Sequence, residues 1–325
     1  MRGSTLVCLK GLIFMFTLCD MHCDTATECF DKGLSLYENN LHIDFKRLNA
    51  AGSGVQFFAV WIKPEEAHRG FDRAVEVIDY FRAECAKYKD SVTLVENAAD
   101  FDVDDGRIKA VLSVEGGEAL NGETQNLKKL YNIGVRLLTL TWNGRNQLGE
   151  GAMSGNDGLT EFGKTIVGEM NRLGMIIDVS HLSEAGFWDV AQISRAPFVA
   201  SHSNARAICN HPRNLTDQQI KHLIKVNGFM GINLYPPFLT EGTASLDDIY
   251  AHIDHSLSLG AQDILGFGAD FDGIDKLPCE IAGVQDMRKI TDYLLKKGLT
   301  ERFVRKITSE NLIRATKEIM NYFKK

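Results

Sequence analysis

Six residues in this chain could do chemistry together. The stretch Asp20-Met21-His22-Cys23-Asp24 sets an imidazole and a carboxylate two positions apart. Further along, Glu115 follows Val114, His181 follows Ser180, His202 lies between Ser201 and Ser203, and Asp270 precedes Phe271-Asp272-Gly273. An H-x-D triplet alone also fits a hydrogen-bonded turn, Glu115 could cap a helix, and Asp270 with Asp272 could form an Asx turn. As a set they point to metal. Three imidazoles and two carboxylates suit zinc, whereas calcium and magnesium favour oxygen-only shells. A single catalytic zinc takes about three protein ligands. The five groups His22, Asp24, Glu115, His181 and His202 therefore fit two ions, and Glu115, which stands between the other pairs in chain order, is the natural bridge. Two such cations about 3.5–4 Å apart share a hydroxide and clamp a carbonyl.

The elements that must position these groups are short apolar runs. Leu12–Cys19, Val55–Ile62, Ala110–Val114, Val135–Thr141, Met175–Val179, Pro197–Ala200, Gly228–Leu234 and Ile264–Ala269 each read as a strand. Their continuous rather than alternating apolar character marks strands covered on both faces, as in a parallel sheet. Helical spacing fills the intervals: 45–51, 65–88, 127–132, 160–173, 184–193, 215–226 and 246–259. Thr25–Asp31 and Trp142–Asp157 read as polar loops, and Asn97–Arg107 as an acidic surface excursion. Eight β-α units give a (β/α)8 TIM barrel. The alternative, a doubly wound open sheet, lacks any G-x-G-x-x-G or P-loop to support it. Residues 1–325 read as a single barrel domain, with 1–11 a ragged N-terminus and 286–325 C-terminal helices. Every candidate ligand follows the carboxyl end of a predicted strand, the face on which barrel active sites lie.

Composition narrows the classes. The chain has 325 residues, 44% hydrophobic and 24% charged, with only 6 prolines, which excludes global disorder. A net charge of −7 without a basic block argues against nucleic acid as a partner. Seven cysteines, an odd number with no C-x-x-C pair, read as reduced intracellular thiols that pack as small hydrophobes. Arg2 and the apolar run to Leu18 imitate a secretory signal, but Lys10 interrupts it and cleavage there would remove the first strand. The expectation is a cytoplasmic protein without a membrane span. Of the remaining histidines, His252 and His255 share a helix face, and both are expected at the surface, as are His42, His68 and His222. His211 is expected to shape the loop around Arg206–Arg213.

A family resemblance rests on five separated motifs. Asp20–Asp24, Val114-Glu115-Gly116-Gly117, Asp178-Val179-Ser180-His181, Ser201–Arg206 with His211-Pro212-Arg213-Asn214, and Gly268–Gly273 resemble the membrane (renal) dipeptidase family, in the family's order, from about residue 17 to the end. The resemblance implies a dizinc barrel related to the amidohydrolases that hydrolyses dipeptides with a free C-terminal carboxylate, including those with a D-residue there. It places His22 and Asp24 on one zinc, His181 and His202 on the other, and Glu115 between them. It gives Arg213 and Tyr235 to the substrate carboxylate, and Asp270 to the amino group or the departing amine. Members are often dimers, and the mammalian relatives carry a membrane anchor for which the C-terminal Tyr322-Phe323-Lys324-Lys325 offers no counterpart.

One position departs. Where the mammalian enzyme carries a substrate-contacting His in T-L-T-H, this chain has Thr139-Leu140-Thr141-Trp142. An indole cannot accept a proton. Trp142 either donates its N–H to the carbonyl, yields that task to Asn143, accompanies a different substrate, or serves as a pocket wall. Two rival functions stay open: opening of a lactone or cyclic amide on the same scaffold, and a silent metal- or ligand-binding barrel.

Overall fold

The computed structural model describes residues 16–323. The expected ragged stretch 1–11 and the start of the expected first strand, 12–15, lie outside the described residues. Nine strands form one parallel sheet: β1 (Leu18–Asp20), β2 (Ser53–Trp61), β3 (Val92–Leu94), β4 (Ile108–Glu115), β5 (Val135–Thr139), β6 (Ile176–Asp178), β7 (Val199–Ala200), β8 (Phe229–Ile232) and β9 (Leu265–Phe267). β2 pairs with both β1 and β4, and β9 with both β1 and β8, so eight of the strands close a ring. The ring is a (β/α)8 barrel. The ninth, β3, was not foreseen. It pairs with the first half of β4, from Ile108 to Ala110, while β5 takes the second half from Leu112 onward. Val92-Thr93-Leu94 is too short to declare itself by period.

Alternation explains the two layers of core. Cys19, Val55, Phe57, Val111, Leu137, Ile176, Val199 and Phe229, one or two from each of β1, β2 and β4 to β8, share one buried cluster. Leu312, Ala315 and Ile319 of the helix Asn311–Met320 join that cluster, so the last helix plugs the barrel interior. Neighbouring residues such as Phe58, Val60, Leu112 and Leu138 face the larger outer core beneath the helices. Strands crowd where the site begins: a Cβ on Gly231 or Gly268 would lie 1.9 or 1.8 Å from the Ser201 carbonyl oxygen. Cys19, Cys23, Cys29, Cys85 and Cys209 are free and buried. Among the described residues no helix is long and apolar enough to cross a membrane.

Several local expectations are corrected. Thr25–Lys32 is a helix, closed by Gly33 at φ 62°, and not a polar loop. Its threonines hide an inward face: Thr27 Oγ1 donates to the Ala59 carbonyl at 3.2 Å and accepts from the Trp61 N–H at 2.9 Å. The long helix begins at Gly70, because Pro64–Arg69 forms a separate 3-10 turn. His252 is fully buried, not at the surface. The Ala205 N–H donates to its Nδ1 at 3.1 Å, and its Nε2 donates to the Leu239 carbonyl at 3.0 Å. His42 and His222 are half-buried rather than exposed.

That burial carries a pH prediction. His252 is held below its ordinary 6.5 by burial, because the interior disfavours the imidazolium. The unfolded chain therefore binds more protons than the folded one below about pH 6.5. The stability of the neutral His252 is fully present above that value and is lost as pH falls toward its folded value. Thermal unfolding of His252→Asn should show a flatter loss on acidification from pH 6.5 to 5 than the parent. Parallel curves would remove His252 from the acid response.

Candidate active site

The strand ends bring the expected residues to one point. His22 follows β1, Glu115 ends β4, His181 and His202 follow β6 and β7, and Asp270 follows β9. Glu115 lies at the centre. Its Oε1 is 3.0 Å from His181 Nε2 and 3.6 Å from His202 Nε2, while its Oε2 is 3.7 Å from His22 Nε2. His22 Nε2 also lies 3.2 Å from Asp24 Oδ2 and 3.8 Å from Asp270 Oδ1. All six side chains are buried. The two carboxylate oxygens of Glu115 thus face different histidine sets.

The supporting hydrogen bonds fix which nitrogens are free. Ser201 Oγ donates to Asp178 Oδ2 at 2.5 Å, so it accepts from His202 Nδ1 at 2.7 Å. Asn143 Oδ1 accepts from His181 Nδ1 at 2.9 Å. With Nδ1 protonated in both rings, each Nε2 presents a lone pair to the centre. His202 Nε2, Asp24 Oδ1 and Glu115 Oε1 are buried without a hydrogen-bond partner. Buried polar atoms are almost always paired, so such a group of orphans asks for a cation. His22, Glu115 and His202, and separately His22, Asp24 and Asp270, each place ligand atoms within 4.8 Å of one another.

Electrostatics agree. Burial pushes the Glu115 and Asp24 carboxyls up, and that of Asp270 up to about 7. Burial disfavours a charged His22, but Glu115, Asp24 and Asp270 outweigh it and raise the ring to about 10. His181 and His202 are held well down by burial and by neighbouring positive charge. This is a buried anionic nest beside two neutral imidazoles, a donor set that fits divalent metal.

Backbone strain is concentrated here. His181 and Asp270 adopt left-handed conformations, with φ 67° and 65°, as does Asp272 at 68°. Non-glycine residues hold this region only where surrounding structure imposes it. His181 is anchored by the Ala152 N–H on its carbonyl, and Asp270 by its own N–H to the His22 carbonyl. Gly273 allows the closest approach: a Cβ there would lie 2.2 Å from Asp24 Oδ2 and 2.6 Å from Asp270 Oδ1. Gly273→Ala should lower turnover by about 100-fold through displacement of these carboxylates by about 1 Å, with the fold intact by circular dichroism. Full activity in that variant would show that neither carboxylate needs its present place.

A cavity of about 350 Å³ opens over the cluster, lined by Asp24, Glu115, His181 and Asp270 and walled by Trp61, Trp142, Tyr235 and Phe238. Trp142 packs on Trp61 with ring centroids 5.1 Å apart and lies 6.4 Å from the His181 ring. Asn143 lines the cavity too, with its carbonyl oxygen already engaged by His181. Arg213 is not among the lining residues. It is 3% exposed, its guanidinium 5.3 Å from the Phe238 ring centroid and one Nη2 donating to the His202 carbonyl at 3.3 Å.

The family model for membrane dipeptidases, peptidase family M19, matches residues 9–325. The chain belongs to that family. The dipeptidase superposes on a solved metallo peptidase from Rhodobacter sphaeroides, liganded with a phosphinate mimic of the dipeptide L-Ala-D-Ala, with a TM-score of 0.88 at 26% identity over 93% of this chain and 99% of that one. Dipeptidase AC, also a metallo peptidase, gives 0.88 at 27% identity, over 93% and 98%. An amidohydrolase from Pseudomonas aeruginosa gives 0.81 at 25% identity, over 94% and 97%. The protein is a metal-dependent hydrolase whose substrate is a dipeptide.

Sequence reasoning about the dipeptidase missed the residues that hold the site. Asp178 accepts from Thr139 Oγ1, the Ser180 and Ser201 N–H groups and Ser201 Oγ. Asp20 accepts from the N–H groups of His22 and Ala269, joining β1 to β9. Asn233 donates to Asp270 Oδ2 at 2.9 Å. Asp20 and Asp178 stood in the sequence only as members of two motifs with no role of their own, and Asn233 only as a lone polar residue at the end of an apolar strand.

Proposed function

We propose that this chain is a zinc dipeptidase holding two ions, with His22 and Asp24 on one, His181 and His202 on the other, and Glu115 shared. The observation that carries the reading is Glu115, whose two buried oxygens face separate histidine sets. Such ions, when bound, acidify water to a nucleophile near neutral pH and polarise the scissile carbonyl.

The protein's own groups do the rest. Water adds to the carbonyl carbon, the C–N bond breaks, and the leaving amine gains a proton. Asp270 Oδ2 accepts from Asn233, so Oδ1 is the atom that takes the water's proton and passes it to the amine. The buried Arg213 has no carboxylate within ion-pair distance among the described residues, and with Tyr235 it receives the substrate's terminal carboxylate. Trp61 and Trp142 wall the His181 side and exclude bulk water. A D-residue at the carboxyl end is accepted, a reading supported by the L-Ala-D-Ala mimic held by the Rhodobacter sphaeroides relative.

The test strips metal with dipicolinate, reloads zinc, and assays L-Ala-L-Ala, L-Ala-D-Ala, their C-terminal amides and a lactone. The expected result is zinc-restored turnover of both free dipeptides at two ions per chain by elemental analysis. Lactone turnover without dipeptide turnover would replace the reading. Stripping should also lower the melting temperature, because ions bound only by the folded state stabilise it. An unchanged melting curve would show that the five groups do not hold metal.

A further inference from the structure

We infer that Asn233 is a positioning residue that sets the distance between the two ends of the substrate. This rests on the roles proposed above for Asp270 and Tyr235. Asn233 follows β8 and is fully buried, as is Asn204. Its side-chain amide links Asp270 to the Tyr235 backbone from behind the cavity wall. Nδ2 donates to Asp270 Oδ2 at 2.9 Å, and Oδ1 accepts from the Tyr235 N–H at 2.6 Å. The orientation is unambiguous, because a backbone N–H can only donate and a carboxylate oxygen accepts. One planar amide therefore joins the group that meets the amine to the residue that meets the carboxylate.

Asn233 is itself pinned. Its N–H donates to Asn204 Oδ1 at 3.0 Å, and Asn204 Nδ2 donates to its carbonyl at 3.0 Å. This reciprocal pair imitates a strand ladder beyond the end of β7. Every polar atom of Asn233 is thus committed, so the spacing from Asp270 to the Tyr235 backbone is set by two hydrogen bonds to one rigid amide. A fixed spacing between readers of the two termini selects peptide length. A longer peptide cannot place its carboxylate at Tyr235 while its scissile bond lies beside Asp270. Holding reacting groups to such tolerance is worth about 100-fold for a displacement of about 1 Å.

Two variants separate the two ends. Asn233→Asp keeps the acceptor for Tyr235 and loses the donor to Asp270. It should lower kcat by about 100-fold while KM for a dipeptide changes less than about threefold. Asn233→Ala releases both ends. It should lower kcat, raise KM, and reduce the dipeptide-to-tripeptide ratio of kcat/KM by about tenfold or more, at unchanged metal content. An unaltered ratio in Asn233→Ala, or parallel changes in kcat and KM in Asn233→Asp, overturns the inference. Should Asn233→Ala not fold, the near-isosteric Asn233→Asp decides alone. Asp270→Asn and Tyr235→Phe serve as references. If these leave activity intact, the underlying reading fails; if they impair it and the Asn233 variants lack the stated split, only the positioning role fails.

Discussion

Glu115→Gln should lose bound metal and activity together, while the metal-free protein becomes no less stable. The two halves of that expectation have one cause. In the metal-free chain Glu115 is a buried carboxylate pushed up by burial, and one of its oxygens has no hydrogen-bond partner. Replacing it with a neutral amide of the same shape removes a desolvation cost, so the metal-free melting temperature should hold or rise. On the assignment proposed above, the same carboxylate would supply charge to both ions when they are bound. An amide offers one neutral oxygen in its place, and the stabilisation conferred by metal should shrink accordingly. Loss of a shared ligand disturbs the nucleophile and the carbonyl clamp together. The fall in kcat/KM should exceed the roughly 100- to 1,000-fold typical of losing one oxyanion donor. Calorimetry with and without zinc, elemental analysis and turnover check all three points. A variant that keeps two tightly bound ions would sink the ligand assignment.

The contrast between what could be read from the chain and what could not follows from range. The barrel was legible because parallel strands buried on both faces leave continuous apolar runs. Val55–Ile62 and Val135–Thr141 differ from the observed β2 and β5 by a few residues at their ends. The ligand candidates were legible because a strand end is a fixed place in this fold, and His22, Glu115, His181, His202 and Asp270 all end or follow a strand. What stayed hidden depends on partners distant in sequence. The inward face of the Thr25–Lys32 helix is built from threonines satisfied by β2, which nothing local reveals. His252 looked like a surface residue because its partners, Ala205 and Leu239, lie outside its own helix, 47 and 13 residues away in the chain. Asp178, 0% exposed, stood in a recognised motif with no role of its own, although it braces His202 through Ser201. Trp142 was the reverse case. Its departure from the mammalian pattern was plain in sequence, and the structure supplies its physical setting against Trp61 at the cavity wall.

Arg213→Met should raise KM for free dipeptides by about 30-fold or more and leave their carboxyl-amidated forms almost unaffected. A guanidinium 3% exposed has surrendered most of its hydration, and burial draws it down to about 10, against the pull of Asp270, Glu115 and Asp178. Its Nε has no partner, and Nη2 reaches the His202 carbonyl only at 3.3 Å. Such a cation is expensive unless an anion completes it. A dipeptide's terminal carboxylate matches the guanidinium fork bidentately, and truncating one partner of a buried charge pair costs about 2–5 kcal/mol. Methionine keeps the aliphatic volume against Phe238 and deletes only the charge, so packing loss is small. The free-to-amidated ratio of kcat/KM is the deciding measurement, because it cancels any general damage to the site. Arg213 does not line the cavity itself, so the same ratio also reports whether the carboxylate reaches past Phe238 to meet it. Equal losses on the free and amidated substrates would remove Arg213 from substrate recognition and leave it a structural cation beneath His202.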